Sequence, residues 1–229
     1  MNETLGISAR PPSSFRQGLR DTLPLAPPIG VFGFVFGALA VQVGLAPWQA
    51  MLTSLIVISG AAQLAMVTLL AAGPGAVLIA TTGLALRHLP MSATLSHFIG
   101  PASFRRRLQL AWVLVDETFA LTLNASRRGE TNLVSFKSGA DLVLYTTWIT
   151  TTLAGAVLGV HIEATTLGLE VVFPLVFLGM AIPLLKDRRH VVTAALAMGA
   201  SLFAVEYLPA AWQVSVAALV AAALGSRVR

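Results

Sequence analysis

The sequence predicts an all-α fold, a polytopic transmembrane helix bundle of six to eight spans in which one or more helices are broken or re-entrant. Hydrophobic residues make up 56% of the chain and charged residues only 11%, whereas an average soluble protein has about 25% charged residues. At about 20 apolar residues for each spanning helix, the chain has room for roughly eight crossings. Polar residues also interrupt several apolar segments, and a membrane tolerates such interruptions only where they line a cavity or are buried in protein.

Composition also excludes several classes of function. The net charge of +5 and the isoelectric point of about 10.7 do not indicate nucleic-acid binding, because Lys and Arg accumulate in the cytoplasmic loops of membrane proteins. The absence of cysteine excludes a disulfide framework, thiol catalysis and cysteine-bound metals. No zinc-protease, serine-hydrolase, Walker A or dinucleotide-binding motif occurs. We therefore expect a protein that is not an enzyme, with no cofactor, no metal site and no nucleic-acid partner.

Apolar runs of about 17–25 residues are the signal for membrane spans. Eight segments fit or nearly fit this length and hold only six of the 25 charged residues; they occupy residues 24–45, 50–71, 76–99, 108–126, 139–160, 168–185, 191–207 and 211–225. The expected organisation is a cytoplasmic N-terminal tail over 1–22, a single integral membrane transport domain over 23–226 and a short cytoplasmic tail over 227–229.

Basic loops set the expected orientation, because Lys and Arg are retained on the cytoplasmic side. With the N-terminus cytoplasmic, strict alternation places the basic loops at 127–138 and 186–190 inside. The arginines at 105–107 conflict with this order, since they would face outward. If the segments at 76–99 and 108–126 are both broken or re-entrant, these arginines return to the cytoplasm and six full crossings remain.

The first two segments are rich in small residues. The first opens with three prolines and has glycines at 30, 33 and 37. One interpretation is close helix packing through Gly33 and Gly37. The other is a discontinuous helix whose free N–H groups at Gly30 and Gly33 bind an anion such as an amino-acid carboxylate. In the second segment, small residues from position 59 to 62 precede Gln63, a rare intramembrane amide, and predict a break.

Four residues near the centres of two segments are candidates for function: Arg87 and His88 in the segment 76–99, and Asp116 and Glu117 in the segment 108–126. An arginine at the bilayer centre costs about 2.5–3.5 kcal/mol on insertion scales, so it is usually paired. We expect one of the two carboxylates to pair with Arg87, and we expect His88 and the carboxylates to carry protons. Two structural alternatives stay open: Arg87 only fixes helix packing, or 108–126 is a surface amphipathic helix.

Other charged residues are expected at the membrane surface. Asp141, Glu170 and Glu206 lie near predicted span ends, where they can reach water, and we interpret them as interfacial. Lys137 falls in the basic loop at 127–138 and is expected inside the cytoplasm. None of these four residues is assigned a role in transport.

Six short motifs follow one another along roughly the first half of the chain. They are Phe15-Arg-Gln-Gly-Leu-Arg-Asp-Thr-Leu-Pro24, Pro28-Ile-Gly-Val-Phe-Gly33, Gly44-Leu-Ala-Pro-Trp48, Ser59-Gly-Ala-Ala-Gln63, Leu86-Arg-His-Leu89 and Asp116-Glu-Thr-Phe-Ala120. In their order and spacing they resemble the AzlC family of branched-chain amino acid permeases. One position departs from the family, which often has Asn two residues before this Arg, where this chain has Ala85; substrate specificity is the property that this difference would alter.

The resemblance implies the large subunit of a bacterial inner-membrane exporter of branched-chain amino acids, a secondary transporter driven by protons. Members act in the lipid bilayer with a small hydrophobic partner subunit, AzlD. Carried over by motif, Gly33, Gln63 and Arg87 are the candidate substrate-binding residues, and His88, Asp116 and Glu117 the candidate proton-coupling residues. Gly30 is a further substrate-binding candidate from the discontinuous-helix interpretation.

The chemistry of the substrate fits these residues. A zwitterionic aliphatic amino acid needs a cationic or N–H-rich site for its carboxylate, an acceptor for its ammonium and an apolar pocket. Such a pocket discriminates by only about 1–3 kcal/mol per methylene, so we expect Leu, Ile, Val and Met to be poorly distinguished. Two other functions stay open: a channel-like pore for a small solute, and a non-catalytic membrane scaffold or accessory subunit.

Overall fold

The computed structural model describes residues 13–99, 102–159 and 187–208, together with positions 182, 185, 216, 219, 220, 223 and 224. All regular structure with described bounds is helical, which confirms the predicted all-α class. The helices are α1 (Ser14–Thr22), α2 (Ala26–Gln42), α3 (Pro47–Ile56), α4 (Gly60–Leu69), α5 (Pro74–Ala85), α6 (His88–Ile99), α7 (Phe104–Trp112), α8 (Asp116–Arg127), α9 (Leu133–Leu158) and α10 (Arg188–Tyr207).

Three helical runs among the described residues are long and apolar enough to cross a membrane: Ser14–Gln42, Leu133–Leu158 and Arg188–Tyr207. They overlap the predicted segments at 24–45, 139–160 and 191–207. The predicted segments at 168–185 and 211–225 lie almost wholly outside the described residues.

The first run begins ten residues earlier than predicted, at Ser14, inside the segment expected to be a polar tail. A 3-10 turn at Leu23–Leu25 joins α1 to α2 without an interruption. Its prolines lie in this turn and in the first turn of α2, where a missing N–H is tolerated. The structure thus has a continuous helical run where the discontinuous-helix interpretation expected free N–H groups.

The predicted segments at 50–71, 76–99 and 108–126 are each divided into two short helices. The interruptions fall at 57–59, 86–87 and 113–115. The six helices have nine to twelve residues, or roughly 14–18 Å at 1.5 Å per residue. Each is too short to cross the ~30 Å hydrocarbon layer alone. The prediction of broken helices is confirmed.

Local sequence explains where these helices stop. Pro90 is the third residue of α6, and its ring would clash with the carbonyl of Leu86 if α5 continued into α6. Val57 and Ser59 have extended backbones, with φ of −105° and −149°, in a β-branched run that disfavours helix. Val115 is extended as well, with φ of −127° and ψ of 165°.

The chain divides into two compact units, and the first contains α1, most of α6, α7, α8 and the first half of α9. Its core includes Ala125, Leu133 and Phe136, against which Ile99 and Leu121 pack. Helices α1 and α9 approach closely through glycines: a Cβ at Gly18 would lie 2.0 Å from the Phe136 carbonyl oxygen, and one at Gly139 2.1 Å from that of Phe15.

Polar contacts also attach α1 to the loop between α8 and α9. The Ser14 hydroxyl donates to Glu130 at 2.8 Å, and the backbone N–H of Asn132 donates to the same carboxylate at 3.0 Å. These hydrogen bonds, with the backbone bond as the larger cause, lower the pKa of Glu130 below its usual value. Arg128 forms an ion pair with Asp21 at the end of α1.

The second unit contains α2 to α5, the start of α6, the second half of α9 and α10. Here α2 packs on α9 through small residues. A Cβ at Gly33 would lie 2.3 Å from the Thr151 hydroxyl, and one at Gly37 2.1 Å from the Thr152 carbonyl oxygen. The rings of Phe36 and Trp148 stack at 6.3 Å between the same two helices.

Candidate functional site

The glycines of the first segment lie within a continuous helix. Gly30 and Gly33 are buried in α2 beyond its first residues, so their N–H groups belong to the helix ladder. Gly33 faces Thr151, and a Cβ at Gly30 would contact the methyl groups of Thr147 and Thr151. Of the two interpretations of these glycines, close helix packing is the one with which their contacts agree.

Gln63 lies in a buried polar network of the second unit. Its amide nitrogen donates to the hydroxyl of Ser54 at 2.9 Å and to that of Thr53 at 3.4 Å, and its amide oxygen accepts from the Trp148 indole at 2.9 Å. Ser54 and Thr152 share a further hydrogen bond of 3.1 Å. Gln63 is only 1% exposed. The network therefore ties both sides of the α3–α4 interruption to α9.

Arg87 joins two helix interruptions of this unit. It lies in the turn between α5 and α6, and its guanidinium donates to the hydroxyl of Ser59 at 3.4 Å. Ser59 is buried and precedes α4. His88 begins α6, half-buried, with Nδ1 3.0 Å from the Ala85 carbonyl oxygen. Arg87 and His88, the candidate residues of the predicted segment 76–99, thus lie where that segment is broken, as expected.

Asp116 and Glu117 form the first turn of α8, directly after the interruption at 113–115. Carboxylates are favoured there because the N-terminus of a helix carries partial positive charge. Asp116 is exposed and Glu117 half-buried. The pairing of one of them with Arg87 stays a prediction from the sequence.

A buried ion pair that the sequence analysis did not identify lies beside the same interruption. The Lys137 ammonium is 2.7 Å from both carboxylate oxygens of Asp141 and donates to the Val113 carbonyl oxygen at 3.0 Å. The exposed fractions of the two side chains are 1% and 10%. Three bonds use all three donors of the ammonium. Lys137 thereby satisfies a carbonyl at the C-terminal end of α7, where a cation is favoured.

The expectations that Lys137 lies in a loop and that Asp141 reaches water are therefore wrong. Helix α9 begins at Leu133, six residues before the predicted segment, so both side chains lie on one helix face one turn apart. The low hydropathy of Ser135, Lys137 and Ser138 excluded the start of α9 from the predicted segment. The i, i+4 spacing of opposite charges was the signal that could have revealed it.

A cavity of about 450 Å³ lies in the first unit. Its walls are the stripes that α6 and α7 present at helical spacing, and α9 contributes one buried residue. The lining residues are Ser92, Leu95, Ser96 and Ile99 from α6, Arg107, Leu110, Ala111 and Leu114 from α7 and the residues after it, and Lys137 from α9. The cavity lining is apolar over about half of its surface, and its polar side chains are two cations and two hydroxyls.

Comparison with known proteins identifies the relatives of this chain. A protein from Archaeoglobus fulgidus, described as an uncharacterized membrane protein, is 30% identical over 81% of this chain and 82% of its own. A Helicobacter pylori protein with the same description is 29% identical over 72% of this chain and 73% of its own. The inner membrane protein YgaZ of Escherichia coli is 26% identical over 82% and 80%. No solved structure matches significantly.

The relatives are thus membrane proteins, and the apolar helices agree with a membrane location. The family model described as "AzlC protein" matches residues 24–162, more than half of the chain. This match and the relatives support a role related to membrane transport. By this match, the chain belongs to the AzlC family.

Proposed function

We propose that the protein is a secondary transporter subunit that exports the branched-chain amino acids leucine, isoleucine and valine, with methionine as a further substrate. The observation that carries this proposal is the interruption of three apolar segments at 57–59, 86–87 and 113–115, with Ser59 and Arg87 in the first two of them. Irregular backbone at membrane depth is tolerated where it is buried or lines a cavity, and discontinuous helices form the substrate sites of many transporters.

Polar groups at the interruptions support this function more than a purely structural one. In the second unit, Arg87 contacts Ser59 across two interruptions. In the first, Lys137 contacts the Val113 carbonyl at the end of α7. Charged groups within apolar segments are costly and mark transport pathways. A scaffold subunit could fix its helices with uncharged hydrogen bonds at lower cost.

We propose proton coupling through Asp116 and Glu117, with His88 as a further proton carrier. The two carboxylates lie in the first turn after an interruption, so a change in their charge acts directly on the end of α8. Carboxylate and histidine side chains serve as proton relays in transporters. Arg87, by contrast, keeps its charge and is proposed to hold a carboxylate.

We further propose the bacterial inner membrane as the location, with the N-terminus cytoplasmic, and a small hydrophobic AzlD-like subunit as partner. The large exposed apolar side chains of α10, such as Met198, Leu202 and Phe203, suit contact with lipid or with such a subunit. Transport needs no covalent chemistry, so the proposed function includes no enzyme activity. Co-expression tests the partnership: the small subunit should co-purify with this chain through an affinity tag on this chain, and its absence from the purified material would contradict the partnership.

Reconstituted vesicles test the transport proposal. Protein with its partner subunit is placed in liposomes that are acidic inside, and uptake of labelled leucine is measured. For proton antiport we expect saturable accumulation above equilibrium that a protonophore abolishes. Uptake that never exceeds equilibrium and does not saturate would indicate a channel-like pore, and no uptake at all would favour the scaffold.

A further inference from the structure

The cavity of the first unit is lined by none of the residues proposed above for substrate binding or proton coupling. Four positions of α6 line it at i, i+3, i+4 and i+7, beginning at Ser92, and α7 lines it at i, i+3 and i+4, beginning at Arg107, with Leu114 following just after the helix. Each of these two helices therefore contributes one face to the cavity wall. Its volume of about 450 Å³ falls within the range of sites for small ligands, roughly 300–1,000 Å³.

Charge in this cavity favours an anion. Lys137 is neutralised by Asp141, and its donors are used by that carboxylate and by Val113. Arg107, in contrast, makes no side-chain hydrogen bond or ion pair with the described residues. The lining residues include no Asp or Glu. The cavity therefore offers one available guanidinium, a group that binds carboxylates through two parallel hydrogen bonds.

Shape and polarity decide which anion fits. Leu95, Ile99, Leu110 and Leu114 form an apolar wall that favours an aliphatic chain through the hydrophobic effect. An ammonium group would find only the hydroxyls of Ser92 and Ser96, and no carboxylate. Ser96 already donates to the Ala93 carbonyl at 2.7 Å.

We propose that this cavity binds an aliphatic carboxylate, with the carboxylate on Arg107 and the chain on the apolar wall. Recognition depends on the carboxylate and the branched chain, and the ammonium contributes little. The identification of leucine as a ligand rests on the proposed function, whereas the requirement for a carboxylate rests on the cavity alone. Branched-chain acids without an amino group are therefore ligands of the same site.

Two fragments of leucine separate these contributions. Binding of labelled leucine to the purified protein is challenged with 4-methylpentanoate, which lacks the amino group, and with 3-methylbutylamine, which lacks the carboxylate. We expect the acid to displace leucine within about tenfold of the concentration at which leucine itself does so, and the amine not to displace it. Displacement by the amine instead of the acid would overturn the proposal.

Variants of neighbouring arginines locate the site. Arg107→Ala is expected to weaken binding of labelled 4-methylpentanoate at least about tenfold, the loss of a charged hydrogen bond. Arg105→Ala is the matched control, since Arg105, like Arg107, is exposed on the same helix but does not line the cavity. Arg107→Gln serves if the alanine variant does not fold. Unchanged binding in a folded Arg107 variant would contradict the proposal.

Direct binding of the acid also keeps this inference separate from transport. If the wild type binds 4-methylpentanoate through Arg107 but does not transport leucine, the transport proposal fails and the cavity assignment stands. If leucine is transported and Arg107→Ala leaves binding of both ligands unchanged, the cavity assignment fails alone. Displacement of labelled leucine by short-chain phosphatidylglycerol, but not by 4-methylpentanoate, would identify a lipid headgroup site and overturn the assignment.

Discussion

At the scale of single residues, the Lys137–Asp141 pair is a costly arrangement, because two charges are buried together. Removing one partner leaves the other charge buried, which typically costs about 3–5 kcal/mol. We expect Lys137→Met and Asp141→Leu each to lower the melting temperature of the purified protein, and the double variant to recover most of the loss. Equal melting temperatures for wild type and single variants would show that the charges reach water.

Asp116 and Glu117 in α8 are expected to behave differently, because their side chains are less buried than that of Asp141. Asp116→Asn or Glu117→Gln should cut proton-driven leucine transport while the melting temperature stays near that of the wild type. Glu206→Gln is the matched control, since Glu206 is exposed in α10. Normal proton-driven transport by both α8 variants would show that coupling lies elsewhere in the chain.

At the scale of helices, glycine spacing sets how closely α2 and α9 approach. In Gly37→Ala the new Cβ would lie 2.1 Å from the Thr152 carbonyl oxygen and 2.7 Å from the Ala156 nitrogen, so the helices must separate. We expect a loss of about 1–3 kcal/mol or more, read as a lower melting temperature.

The control for this prediction is Gly199→Ala in α10, where no atom of the described residues outside the helix's own backbone lies within 4 Å of the new Cβ. That variant should be unchanged or more stable by up to about 1 kcal/mol, since alanine is the better helix former. Equal effects at the two positions would mean that helix propensity, and not close packing, governs Gly37.

The helix interruptions could be predicted from sequence, whereas the polar contacts beside them could not. Pro90 and the small residues after Ser59 act on their own backbone, and a local signal is enough to detect them. One partner of Gln63 is Trp148, 85 positions away along the chain, and no local pattern specifies it. Lys137 and Asp141 have the i, i+4 spacing of a helical ion pair, but hydropathy placed the predicted start of this helix at 139, between the two residues.

At the scale of the whole molecule, the basic residues around α7 decide the topology. Helices α5 to α8 are each too short to span the bilayer. An arrangement of eight simple crossings, with loops alternating strictly between the two sides, therefore cannot be derived from these helices. Lys and Arg are retained on the cytoplasmic side. We therefore expect the arginines at 105–107 to be cytoplasmic, together with the loop between α8 and α9.

Cysteine labelling tests this topology cleanly, because the chain contains no cysteine. Ser103→Cys, in the exposed position before α7, should react with a membrane-impermeant maleimide only after the cells are opened. Thr131→Cys, in the loop after α8, should do the same, whereas Ala46→Cys, before α3, should react in intact cells. If Ser103→Cys reacts in intact cells as Ala46→Cys does, the arginines face outward and the segments at 76–99 and 108–126 both cross the membrane, despite their interruptions.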